Sequence, residues 1–570
     1  CTTSAGPGRR YLFRVQRLSR SLLLFAPVLL GYAARAPGPV QSSSSGLAAA
    51  ESLYADLRDR RDRIDVTLAS GQTTAADLDS GSIQRYNELR RTVAVRLAAI
   101  DSRTLRNDDG RAFSVMRQTL ERDLDSLPLR AGSPPASAPE CNYDAGGIAR
   151  LSGGLDSLRK RIYACYGWAQ SHVVVDQDTL DRLTVLASLG RTTESTRRRQ
   201  LFLALDPIWR SMNATDLPGS PYRQLIAAET SHRSGGESPA ARQARASGLP
   251  PDSLEHWLLN ILETWRAANA DSLVEPWDWF YMVGRASRML SPRISLQKMF
   301  QLNREVYRSL GADVERLGVH FDVQPREGKT PVAYTTFGSR PRFINGRWRP
   351  GEPWVFATYP VGGLDNLNEL LHETGHAIHI AAIRTRPAFA DWPDSDPFTE
   401  AVADFMALEV YEPSWQQHWL GDSVPLVDGL RGRYGGIVLD VAWALFEIRM
   451  QRDITADPNQ VWTALTRDYL RIRPHPELSW WAMRGQLVDA PGYMMNYAAG
   501  AMIIAAIRDR TRELHGRFSA GDSTWYRWIA FRLYRFGLER PTREVIQNFL
   551  GGTVTPAAIL HDMRRMRAKQ

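Results

Sequence analysis

Lysine is nearly missing from this chain: it stands only at positions 160, 298, 329 and 569, although basic residues number 71. The formal charge of +9 is therefore an arginine charge. Those arginines are scattered among acids, with short clusters only at 197–199 and 564–567. No continuous basic stripe results, so nucleic acid is not an expected partner. Cysteine is scarce too, with three residues, too few for a disulfide-built scaffold or a thiolate metal cluster. Long apolar runs are also missing. Apart from Ser21-Leu-Leu-Leu-Phe-Ala-Pro-Val-Leu-Leu-Gly31, no stretch approaches the roughly 20 apolar residues of a transmembrane helix.

That one run follows arginines through Arg20 and precedes small residues from Ala33 to Ala36, the three-part layout of a secretory signal. Residues 1–36 are expected to be a signal peptide and 37–47, rich in Pro, Gly, Ser and Gln, a flexible linker. The protein would then be exported, periplasmic or extracellular, with no stable membrane span after cleavage. The alternative is an uncleaved N-terminal anchor, because Pro37 disfavours cleavage right after Ala36. Once the signal is gone, Cys141 and Cys165 remain, and either one disulfide or two unpaired thiols fits them. Asn213-Ala-Thr215 matches a glycosylation sequon, a frequent chance occurrence.

What the chain has in quantity is ordinary globular composition, 43% apolar and 23% charged over 570 residues. This excludes wholesale disorder, and the length implies a two-lobed body or several subdomains; it leaves the oligomeric state open. From Gly46 to about 130 the apolar residues Leu53, Leu57, Ile64 and Leu68, then Leu89, Val93, Val95, Leu97 and Ile100, recur at helical spacing. Loops or boundaries are expected at 131–139 and 231–251, both rich in Ser, Gly, Ala and Pro. The pattern predicts a mostly α protein, with an N-terminal helical lobe over 48–250 and a second region over 251–570. Only 330–360 departs from it: Val332-Ala-Tyr-Thr-Thr-Phe337 and Trp354-Val-Phe-Ala-Thr-Tyr359 are β-branched and aromatic, separated by Asn345-Gly346 and Pro350-Gly351 turn signals. A small β-sheet is expected there.

Immediately after that sheet, apolar residues at 364, 367, 370, 371, 378 and 380 mark a helix carrying His372-Glu-Thr-Gly-His376. Two imidazoles four residues apart share one helix face at a separation that suits two ligands of a tetrahedral zinc, with Glu373 beside them as a general base. A catalytic zinc needs a third protein ligand and one open position. Glu400 is the candidate: Asp396 as N-cap and Pro397 at the first helical position start a new helix one turn before it. Asp404, four residues on, is placed to hold the second ring N–H of a ligating histidine. His379 turns away from the ligand face and is expected to be structural. The rival reading is a surface helix with two solvated histidines and an ordinary acidic helix start.

These motifs resemble the gluzincin metallopeptidases, namely the angiotensin-converting enzyme family and the related thimet oligopeptidase and oligoendopeptidase family. His372-Glu-Thr-Gly-His376 is similar to their His-Glu-x-Gly-His, and Phe398-Thr-Glu-Ala-Val-Ala-Asp404 to the segment bringing their third ligand and its acidic partner. Pro276-Trp-Asp-Trp-Phe-Tyr281, Tyr334-Thr-Thr-Phe337 and Pro491-Gly-Tyr-Met-Met-Asn-Tyr497 are weaker matches, over roughly 250–510. The resemblance implies a two-lobed helical peptidase with a deep substrate channel, one Zn2+ per chain held by His372, His376 and Glu400, and peptide substrates. It also implies Tyr497 as an oxyanion donor, Tyr493 lining the channel, and Thr335 in the strand that binds the substrate backbone. There are departures: residues 485–492 hold no histidine where the families place one, although His475 could swing in, and no lysine is evident for gripping a substrate C-terminus. A zinc-binding scaffold or peptide-binding protein that has lost efficient catalysis is therefore the alternative.

Overall fold

The apolar stripes near the start of the chain fold into three helices, α1 (Ser43–Ala69), α2 (Ser80–Ala98) and α3 (Asn107–Arg122). The structure is a computed structural model and describes residues 43–567 apart from 73–79, 123–137, 140, 142–153, 215–219, 232–235, 270–272, 327–328 and 330–331. The expected signal peptide, 1–36, and the first part of the expected linker lie outside the described residues. The last five residues of that linker do not stay extended: they form the first turn of α1, drawn in by burial of Leu47 and Ala50.

Leu47, Ala50, Tyr54, Leu57 and Ile64 of α1 pack with Tyr86, Val93 and Leu97 of α2 and with Phe113, Met116 and Leu120 of α3 as an apolar cluster of their own. Val95, off that stripe, is exposed. Among the described residues, the rest of the chain reaches into this cluster with Ala388 and Phe389, and Leu538 packs against it. Around that plug the contact is ionic. Arg386 pairs with Glu51 at 2.6 Å and Asp109 at 2.8 Å, Arg340 with Asp62 at 2.6 Å, and Arg342 with Asp59 at 2.6 Å.

Most buried apolar residues from Leu158 onward share one larger core that joins the stretch before 250 to the stretch after it; Trp209, Trp265, Trp443, Trp462 and Trp481 all lie in it. Cys165, buried there, forms a disulfide with Cys141. The expected loop at 231–251 contains a helix, Pro239–Ala246. Its Ser238 side chain accepts from the Ala241 N–H, Pro239 occupies the first turn and alanines follow, so capping and propensity outweigh the loop-like composition. Among the described residues no helix is long and apolar enough to cross a membrane.

The small sheet has three strands, β1 (His320–Asp322), β2 (Tyr334–Ser339) and β3 (Glu352–Phe356). β3 is central, parallel to β1 and antiparallel to β2, which leaves β2 at an edge. Between β2 and β3 a hairpin pairs Arg342–Ile344 with Arg347–Arg349, and its turn residues Asn345 and Gly346 both take positive φ, 52° and 73°, as a two-residue hairpin turn requires. The chain then enters α4 (Leu364–Ala382), which is buried on almost every side, and α5 (Asp396–Ala407) crosses it. The long helix α6 (Leu426–Arg452) and α7 (Met494–Leu514) complete the wall behind them. The protein is thus mostly α with a small sheet beside α4.

Candidate metal centre

Helical spacing puts His372 and His376 on one face of α4, with ring centroids 4.7 Å apart and planes perpendicular. Helix α5 brings Glu400 against both: its Oε2 lies 3.4 Å from His372 Nε2 and 3.8 Å from His376 Nε2. One ligand atom from each of the three lies within 4.8 Å of the others. Asp396 is the first residue of α5 and Ser395 its N-cap, one residue earlier than expected, while Pro397 does sit in the first turn. The crossing is close because of Gly375: a Cβ there would lie 2.3 Å from the Ala403 carbonyl oxygen. Any larger residue would push Glu400 off the histidines.

Asp404 Oδ1 is 2.7 Å from His372 Nδ1, so this nitrogen carries the proton and Nε2 is the one turned to Glu400. Burial disfavours the charged imidazole of His372, but Asp404 and then Glu400 outweigh it and hold its pKa well above the usual histidine value. Burial likewise works against a charged Glu400, and the two histidines overcome it, holding its carboxyl far below the usual range. The donor set fits a divalent metal ion: two imidazole nitrogens and a carboxylate suit zinc, and the Asp404 contact leaves His372 Nε2 for coordination. Both histidines are nearly buried while the Glu400 side chain is 46% exposed, so the centre opens to solvent on the α5 side.

Glu373 is buried, and its Oε2 accepts from the Thr335 hydroxyl at 2.7 Å. Thr335 lies on the edge strand β2 and thus meets the acid of α4 directly. Two further carboxyls flank the centre, each one helical turn from a site residue; Glu369 was not singled out from the sequence, and Asp396 was read there only as a helix cap. Glu369 is pushed up to about 7 by burial and by Glu373. Asp396 is pushed up to about 7 by burial and by Glu400.

Tyr493 and Tyr497 pack edge to face, with centroids 5.7 Å apart. Burial, then Tyr497, Asp396 and Glu400, raise the Tyr493 phenol well above its ordinary value. Tyr497 accepts from Gln486 Nε2 at 3.2 Å, and the Arg484 guanidinium lies 5.5 Å from its ring. His475 does not swing in. It is held by Glu275 at 2.9 Å and Glu477 at 2.7 Å. His379 is fully buried against Trp392, Phe398 and Tyr534 with neither ring nitrogen bonded among the described residues, and burial, then His376, pushes its pKa down to about 3. It is a neutral packing residue. Asp278 of the Trp-Asp segment pairs with Arg198 at 2.7 Å.

No family model and no curated protein matches the sequence. Among solved structures 128 chains match. One, described as "The Structure of CHT", aligns over 92% of this chain and 100% of that chain with a TM-score of 0.55 and 13% identity. At that identity the likeness is one of fold, and it takes in nearly the whole helical architecture.

Proposed function

We propose that this protein is a zinc-dependent peptidase that hydrolyses short peptides, exported from the cell by its N-terminal segment. The observation that carries the reading is the convergence of His372, His376 and Glu400 from two crossing helices with Glu373 beside them and an edge strand alongside. Zinc, when bound by these three side chains, supplies Lewis acidity toward a water and toward the scissile carbonyl.

The work of the chain's own groups follows from where they stand. Glu373 takes the proton from the attacking water and returns it to the leaving amine. The Thr335 hydroxyl keeps its carboxylate in one orientation while the other oxygen works. β2 is an edge strand, and an extended peptide would add by strand pairing at its half-buried start, Tyr334 and Thr335. Tyr497, with Tyr493 against it, supplies phenol groups toward the developing oxyanion.

A peptide-library digest with and without a chelator tests the proposal. Hydrolysis that stops on chelation and returns with one equivalent of zinc is expected. Stoichiometric zinc with no cleavage of any peptide would leave a binding scaffold instead.

A further inference from the structure

The two histidines of the candidate centre are held by different means. His372 is fixed by Asp404. The Nδ1 of His376 is buried and has no hydrogen-bond partner among the described residues. What His376 has instead is the indole of Trp392, edge-on with centroids 5.5 Å apart and planes at 73°. The same indole packs edge-on against Phe337 of β2 at 5.2 Å and His379 at 5.7 Å. Trp392 therefore fills the angle between α4 and the sheet.

Trp392 belongs to the connection between α4 and α5, and that connection is tied down from outside. The Trp392 N–H donates to Asp391 Oδ1 at 2.9 Å. The Asp391 carboxylate is gripped by Arg58 at 2.7 Å and Arg340 at 2.6 Å. Arg340 also donates to the Ala390 carbonyl at 3.1 Å and pairs with Asp62. Arg58 and Asp62 both lie on α1. An unbroken set of contacts thus runs from the N-terminal helix through a buried ion-pair group and an indole to a metal-facing imidazole.

We infer that Trp392 is the positioning residue for His376, and that the Arg58–Asp391–Arg340 group sets Trp392, so that the N-terminal helices tune the metal centre without touching it. This rests on the reading of His376 as a metal ligand. Groups that orient a ligand from behind change metal affinity by ten- to hundredfold when removed, and an aromatic edge can orient a ring where no acceptor is present.

The test measures zinc affinity by competition with a chromophoric chelator, and the visible spectrum of the cobalt-substituted protein, on the full chain and on Trp392→Leu, Trp392→Phe, Asp391→Asn and Arg58→Gln. Trp392→Leu, Asp391→Asn and Arg58→Gln are expected to bind zinc about ten- to hundredfold more weakly and to alter the cobalt spectrum. Trp392→Phe, which keeps a ring edge, is expected to restore most of both. Parental affinity and spectrum in Trp392→Leu overturn the positioning role. Parental values in Asp391→Asn and Arg58→Gln overturn the link to the N-terminal helices. A lower melting temperature of the metal-free variants with an unchanged cobalt spectrum means plain packing, and overturns the inference as well. If Trp392→Leu does not fold, Asp391→Asn, which keeps its shape, decides in the same way. A parent protein that binds neither metal refutes the metal centre itself, a result distinct from parent and variants binding equally well.

Discussion

Glu373 is set apart from the three candidate ligands by the hydroxyl on its carboxylate. A side chain that touches water and not the metal leaves a particular signature when its basicity is removed. We expect Glu373→Gln to fold, to bind about one zinc per chain and to accept the same bond from Thr335, yet to lose hydrolysis by several orders of magnitude. Metal content and peptide turnover measured on the same preparation check this, and turnover at the parental rate would remove Glu373 from the reaction. The residues on which this rests were legible in the sequence because ligand spacing on a helix is a local property. Trp392 was not, since its partners Phe337 and Asp391's guanidiniums come from β2, the end of that strand and α1, far away in the chain.

Among elements, the crossing of α4 and α5 depends on one missing side chain. Gly375→Ala would place a methyl 2.3 Å from the Ala403 carbonyl oxygen and 2.9 Å from its Cα, so the helices must separate. We expect a loss of about 1–3 kcal/mol in stability and a larger loss of zinc affinity, read by denaturant unfolding of the metal-free protein and by chelator competition. The start of α7 depends on a buried acid. Glu447 of α6 accepts from the Gly492 N–H, and burial pushes its pKa up to about 8 from an ordinary 4.5. An acid whose pKa is raised by folding binds more protons folded than unfolded between those values, so it lowers stability as pH rises from about 4.5 to about 8. Glu447→Gln should flatten this part of the profile, by on the order of a few kcal/mol at its upper end. An unchanged slope of melting temperature against pH would show the carboxyl to be ionised in place. Helix periodicity and the Asn345-Gly346 turn made most elements readable in advance. The helix at 239–246 and the three-residue β1 were hidden, one by loop-like composition and the other because three residues carry no period.

Across the whole molecule, arginine–carboxylate pairs join the N-terminal apolar cluster to the rest of the chain, where the planar fork of a guanidinium can span two carboxylates, as Arg386 does between Glu51 and Asp109. The disulfide ties the short segment at Cys141 to the larger core across a sequence separation of 24. We expect Cys165→Ser, or reduction of the parent, to cost about 3 kcal/mol, seen as a lower urea midpoint that reductant does not lower further in the variant. An unaltered midpoint would show that the link adds nothing.

Asn213 gives the sequon a meaning that its sequence does not carry. Its amide is fully buried, donating to Ser479 at 2.9 Å and accepting from Ser220 at 2.8 Å. A sugar chain attached there while the polypeptide is still emerging cannot be taken into that interior, so a host that decorates sequons on nascent chains would stall this protein on its way to the native state. Replacing Thr215 with Ala erases the signal and leaves the buried amide in place. Secreted yield from such a host should rise for that variant, whereas Asn213→Gln, which disrupts the interior itself, should give no such recovery.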